Sequence, residues 1–192
     1  MVAFITTMFV VQIVFAASSP VPILEKAANQ IIVTLKEHQS QLKSNHELIY
    51  RAVEKNLLPI VDINGMARSV LGRRGWTIAT AQEKKEFTQQ FTRLVIRTYA
   101  NPLAEYSGEV VKFMPLRGEI NGRFTRVSSV IIRSNGQNIP LNYSLVLNNG
   151  QWKIYDLSVE GISLLQSFRS QFGQLLNNSN MKNLISEMRK KK

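Results

Sequence analysis

Cysteine is absent from the 192 residues, so neither a disulfide nor a thiolate metal site can form, and the chain must hold together through its packed core. Histidine and aspartate are nearly absent too: the chain has only His38 and His46, Asp62 and Asp156. The two histidines have no carboxylate or thiol constellation around them in the sequence, which argues against a metal centre. Neither a Gly-x-Ser-x-Gly elbow nor a Walker or dinucleotide glycine loop occurs, so the common hydrolase and nucleotide-binding chemistries have no signature here. Internal repeats and low-complexity linkers are also missing. Beyond residue 17 no stretch approaches the roughly 20 apolar residues that a membrane span needs.

Acidic residues are scarce relative to basic ones. Thirteen Asp plus Glu stand against 24 Lys plus Arg, for a net charge of +11, and the chain ends Arg189-Lys-Lys-Lys192. Nucleic acid is one partner that such charge suggests, but no RNA- or DNA-binding motif and no aromatic-studded basic strand accompanies it. An anionic lipid surface is another, each nearby cation contributing about 1 kcal/mol at best. A solvated basic surface accounts for the charge equally well. Residues 1–17 carry no charge and one apolar core, followed by small residues and Ser18-Ser19-Pro20. With Val14 and Ala16 at the small-residue positions, the expectation is a signal peptide, residues 1–16, cleaved after Ala16 on export. A basic residue near Met1, usual in such leaders, is missing. An uncleaved anchor is the competing reading.

Residues 17–192 suit one domain, with no second domain required; a chain of that length buries about 70% of its unfolded surface. Helices come first. Periodicity predicts them over 23–43, with Ile31, Leu35 and Leu42 on one face, and over 47–58, ended by Pro59. Asp62 reads as the cap of a short helix closed by Gly72. Thr80-Ala-Gln-Glu83 is a capping box, and it opens the best-defined helix, whose stripe Phe87, Phe91, Val95, Tyr99 runs up to Asn101-Pro102. From Glu105 the period falls to two. Strands are expected over 105–114, 119–133, 138–148 and 151–159, with Asn135-Gly136 and Asn149-Gly150 as hairpin turns. Helices followed by antiparallel strands imply an α+β fold with the helices gathered on one face of the sheet.

The last strand runs into a helix with almost no loop. Trp152, Ile154, Asp156 and Ser158 alternate with Lys153, Tyr155, Leu157 and Val159. Helical spacing then takes over, and Leu165, Phe168, Phe172 and Leu175 make an apolar stripe that is expected to lie on the sheet. This segment, Trp152 to Asp156, Val159 to Leu164 and Arg169-Ser-Gln-Phe172, resembles the MlaC family, also called the toluene-tolerance phospholipid-transport proteins. A second match runs Ala67-Arg68-Ser-Val70-Leu71-Gly72, Trp76, Ala79-Thr80, Gln82, Phe87. The likeness covers roughly residues 23–190.

The resemblance implies an NTF2-like curved antiparallel sheet packed by helices and enclosing an apolar pocket. The pocket would hold the acyl chains of a glycerophospholipid. Alternation places Leu141, Tyr143, Leu145 and Leu147 on one sheet face. Val111, Phe113, Ile131 and Val159 are expected to extend the lining, with Ile162, Leu165 and Phe168 from the junction and last helix. Arg169 is the preferred head-group contact, followed by Arg68 and Tyr155; Arg73-Arg74 reads as an exposed loop. Glu160 is expected to favour the last helix's N-terminus. The implied role is a monomeric periplasmic shuttle without a cofactor, carrying phospholipid between an outer-membrane lipoprotein complex and an inner-membrane MCE-domain ABC transporter to maintain outer-membrane lipid asymmetry. Membrane proximity would be transient. Two alternatives stay open: a small-molecule enzyme on the same fold, with Asp156 as a buried base beside Tyr143 or Tyr155, and a periplasmic chaperone with an exposed groove.

Overall fold

Thr80 and Glu83 cap each other. The Thr80 hydroxyl accepts the Glu83 N–H at 3.1 Å, and the Glu83 carboxylate accepts the Thr80 N–H at 2.9 Å. The reciprocal bonds satisfy two of the free donors at a helix start, and α4 runs on from them over Ala81–Ala104. In this computed structural model residues 18–116, 120 and 122–190 are described. The expected leader and the last two lysines lie outside the described residues.

α4 passes through Pro102, where the sequence predicts its end. Ala100 and Ala104 are buried with Leu35, Leu42 and Ile49, and this packing holds the last turn although proline removes one backbone bond. α1, Val21–Glu37, begins with proline in its first turn, where the missing N–H costs nothing. It stops earlier than expected: after His38 the chain tightens into a 3₁₀ turn, Gln39–Gln41, that delivers Leu42 to the same cluster. α2, Glu47–Asn56, gives way to a second such turn at Leu58–Ile60.

α3 spans Ile63–Ile78, and Asp62 caps it by accepting the Gly65 N–H at 3.0 Å. Gly72 is a kink, and the expected end of the helix lies further on. Its φ of +67° breaks the ladder, as only glycine does without strain, yet the chain resumes its helix to Ile78 because Gly75 and Trp76 pack into the helical core. A Cβ at Gly75 would meet Leu176 at 3.3 Å.

Five antiparallel strands form one sheet in sequence order: β1 Val110–Phe113, β2 Phe124–Ile132, β3 Asn138–Asn148, β4 Gln151–Val159 and β5 Ile162–Ser163. β1 and β2 are shorter than predicted. Asn149 and Gly150, with φ of 49° and 75°, make the tight turn between β3 and β4, as the dipeptide predicts. β5 is an addition. Glu160 and Gly161 also adopt positive φ, 51° and 82°, so Glu160 sits in a second tight turn. It takes no part in the start of α5, Leu164–Asn178, whose cap is Ser163.

β4 carries a bulge. Ser144 pairs with Asp156 and Leu145 with Ile154, which leaves Tyr155 as the extra residue. One extra residue reverses the facing of the rest of the strand. Leu157 and Val159 therefore join Trp152 and Ile154 on one face, correcting the simple alternation read from the sequence. On the free side of β4, Val61 bridges Ile154 and the Asp62 N–H donates to the Ile154 carbonyl at 2.8 Å.

Two main cores result. α3, α4, α5 and α6 (Met181–Lys190) close on each other around Phe87, Phe91, Phe168 and Phe172. α1 and the Leu58–Ile60 turn close the other core against the sheet. The stripe of α5 thus packs on helices, not on the sheet as expected. No helix among the described residues is long and apolar enough to cross a membrane.

Candidate functional site

Alternation along β3 turns Leu141, Tyr143 and Leu145 inward, and all three are buried; Leu147 is half-buried on the same face. β2 contributes Val127 and Ile131, and β1 contributes Phe113, whose ring stacks on Tyr143 at 5.7 Å. Trp152, Ile154, Leu157 and Val159 complete the surface from β4. α1 lays Leu24 and Ala27 against it, and the Trp152 indole donates to the Ser18 carbonyl at 2.7 Å.

This apolar face is unevenly covered. Val127 and Leu145 are 1% exposed, while Phe113, Ile131, Leu147, Leu157 and Val159 are only partly buried. Two of its polar groups are buried hydroxyls. Burial pushes the Tyr143 hydroxyl above the usual tyrosine range, and the nearby Ser129 hydroxyl draws it partway back. Ser129 is 3% exposed, and its Oγ has no hydrogen-bond partner of good geometry among the described residues. A buried hydroxyl with no better partner than a poorly aligned phenol is uncommon.

The expected lining residues divide. Phe113, Ile131, Leu141, Tyr143, Leu145, Leu147 and Val159 come together on this face. Val111 is half-buried opposite Ile131 and borders a groove of about 400 Å³ between α1 and the start of β1. Leu165 and Phe168 belong to the helical core, and Ile162 is 69% exposed. Val127, Trp152, Ile154 and Leu157 are additions. The alternation of β2 could have pointed to Val127, whereas the bulge conceals Leu157.

Arg68 and Arg169 converge. They line one cleft of about 430 Å³ with Gly65, Ser69, Gly72, Arg73, Trp76 and Thr77. Arg73 lies on α3 and not in a loop. Tyr155 is not among these residues: its ring meets Phe124 edge-on at 5.8 Å.

Asp156 is engaged at the start of α5. Its Oδ2 accepts from the Ser163 hydroxyl at 2.7 Å, and its Oδ1 accepts from the Leu165 N–H at 3.0 Å. Ser163 Oγ in turn accepts the Gln166 N–H at 3.1 Å. A carboxylate so bound pins β4 to a helix end, where negative charge is favoured. Burial, then the Asp156 charge, pushes the Tyr99 hydroxyl above its usual range. Among the described residues no group of three or more His, Asp or Glu could hold a metal ion.

Comparison with known proteins gives one consistent picture. A family model described as MlaC protein matches residues 25–190. The toluene tolerance protein ttg2D of Pseudomonas putida is 28% identical over 161 residues, 84% of this chain and 74% of that protein. The intermembrane phospholipid transport system binding protein MlaC of Haemophilus influenzae is 26% identical over 187 residues, covering 96% and 87%. Among solved structures, a phospholipid-binding protein from Ralstonia solanacearum, in complex with a phospholipid, superposes with a TM-score of 0.79 at 23% identity, over 87% of this chain and 93% of that one. That likeness concerns the fold.

Proposed function

The chain belongs to the MlaC protein family, and from that premise we propose that it is a phospholipid-binding transport protein that holds acyl chains against the inner face of its sheet. The observation that supports this most directly is the incomplete cover of that face: Phe113, Ile131, Leu147, Leu157 and Val159 remain partly accessible beside the buried Leu141, Tyr143 and Leu145. Val111 would extend the tail site at β1, the exposed Ile162 would lie at its rim, and Leu165 and Phe168 would join it only if the helical core loosened. The Haemophilus influenzae relative is named for binding and transport, not for a reaction. The chain is accordingly a binding protein and not an enzyme, and Asp156 has a structural task.

Tail burial sets the mechanism. Each buried methylene contributes about 0.8 kcal/mol, so two chains of about fifteen carbons give on the order of 20 kcal/mol before ordering costs. A lipid held this way does not leave into water. Release requires contact with a partner that opens the site, and the proposed partners are an outer-membrane lipoprotein complex and an inner-membrane MCE-domain transporter, with the protein exported to the periplasm after loss of residues 1–16. Tyr155 is the proposed head-group contact on the sheet; Arg68 and Arg169, expected beside it, line a cleft that no residue of the sheet cluster enters.

The test is native mass spectrometry of residues 17–192 purified without detergent, with extraction of the bound material. Stoichiometric glycerophospholipid is the expected result. A protein that is empty and takes no lipid from vesicles would overturn the proposal.

A further inference from the structure

The arginine cleft stands apart from the apolar sheet face. None of its lining residues belongs to the sheet cluster. On α3, Met66, Ala67, Val70 and Leu71 turn into the helical core, while Gly65, Arg68, Ser69, Gly72, Arg73 and Trp76 form the neighbouring stripe that walls the cleft. Arg169 closes it from α5, next to the buried Phe168. At the kink, a Cβ on Gly72 would meet nothing within 4 Å, so the wall is open at that point.

Its charge is uncompensated. No acidic residue lines the cleft, and none of the ion pairs among the described residues involves Arg68, Arg73 or Arg169. The carboxylate adjoining Gly65, that of Asp62, caps α3 through the Gly65 N–H, and its single charge stands against three guanidinium groups. Lys84 adds a fourth cation, its Nζ 5.5 Å from the centre of the Trp76 ring. Gathering like charges without a counter-charge costs free energy, and a bound anion offsets it. Guanidinium groups present fixed pairs of donors that match the oxygens of a phosphate, and an aromatic wall beside them limits where it can sit.

We propose that Arg68, Arg73 and Arg169 form a phosphate-binding cleft, separate from the acyl-chain site and able to hold either a free phosphate ion or the phosphodiester of a lipid head group at a membrane surface. The proposal requires only the cleft and is independent of where the tails sit, although it changes the task of Arg68 and Arg169 from holding the cargo's own head group to holding a second phosphate.

The experiment titrates the amide-labelled protein with inorganic phosphate and follows Gly65, Ser69, Gly72 and the Trp76 indole by NMR. Saturable shifts that chloride at equal ionic strength does not produce are expected. The R68Q/R169Q variant should weaken the affinity about tenfold or more, since it removes two of the three charge-assisted donor pairs. Both side chains are exposed, so an unchanged melting temperature serves as the folding control, and R73Q alone should give a smaller loss in the same direction. Co-sedimentation with phosphatidylglycerol vesicles, against phosphatidylcholine, identifies the source. Retention that the variant loses assigns the cleft to a lipid surface; phosphate binding without retention assigns it to the free ion. Absent shifts, or shifts unchanged in the variant, overturn the proposal. So does a variant purified without its phospholipid, because that outcome makes the cleft the cargo's own head-group site.

Discussion

The helical core and the sheet core are built differently. Around Phe91 three rings meet: Phe87 stacked at 5.9 Å, and Phe168 and Phe172 edge-on at 5.3 and 6.4 Å. Phe87, Phe91 and Phe172 are fully buried. On the sheet side the lining is mostly aliphatic, and more of its apolar residues are partly buried than fully buried. An aromatic lattice with every ring enclosed resists any rearrangement, since its packing is specific in angle as well as area. An aliphatic face of changeable cover can exchange one apolar neighbour for another. On the proposed function, stability rests chiefly on the first region and lipid occupancy on the second.

The largest effect should come from the helical side. Phe91→Ala removes a ring held by three others and is expected to destabilise the protein by about 3–5 kcal/mol, measured by urea unfolding at fixed lipid content. The fraction that remains folded should keep its phospholipid. If lipid occupancy fell while the unfolding midpoint stayed put, the division between the two cores would be wrong.

A smaller loss is expected at the junction between them. Asp156→Asn keeps the shape but removes the charge that the Ser163 hydroxyl and Leu165 N–H address, costing about 2 kcal/mol. Lipid retention should be unaffected, as read by native mass spectrometry; a loss of bound lipid at unchanged stability would place Asp156 in the site itself. Phe113→Ala inverts the pattern. Being half-buried, Phe113 should cost only about 1 kcal/mol of stability, yet removing its stack on Tyr143 opens the tail site and should lower lipid occupancy severalfold. A stability loss as large as that of Phe91→Ala would mean that the sheet face is an ordinary closed core.

What the sequence declared best was local chemistry. β3 and β4 begin and end where the alternation and Asn149-Gly150 predict, and the Thr80 and Asp62 caps form as the residue types require. Side-chain periodicity tells which residues share a face, but it is silent on what covers that face. So Leu165, Phe168 and Phe172 were legible as a stripe, while their partners on α3, α4 and α6 were not. The bulge at Tyr155 leaves no mark in composition, and without it Leu157 reads as facing away from Trp152. β5 escaped because two residues are too few for alternation and because Glu160 is an unusual occupant of a left-handed turn position. Arg68 and Arg169 were legible as head-group candidates, but they lie far apart in sequence, and only the packing of α3 on α5 brings them together with Arg73.

The smallest effect has the opposite sign. Ser129 Oγ is buried and, apart from a poorly aligned approach to the Tyr143 hydroxyl, has no hydrogen-bond partner among the described residues, so Ser129→Ala removes a poorly satisfied group with almost no change in shape and should stabilise the lipid-free protein by up to about 1 kcal/mol. Its neighbours sharpen the meaning: Ser129 pairs across the sheet with Leu141 and with Phe113, in the middle of the proposed tail site. If stability rises and phospholipid retention falls, the hydroxyl is kept to meet an oxygen of the cargo, at a cost borne only when the site is empty. If stability rises with retention unchanged, the hydroxyl contributes nothing to binding, and the sheet face selects its occupant by apolar contact alone. A fall in stability would contradict both, since it requires that the hydroxyl already has a partner in the folded chain.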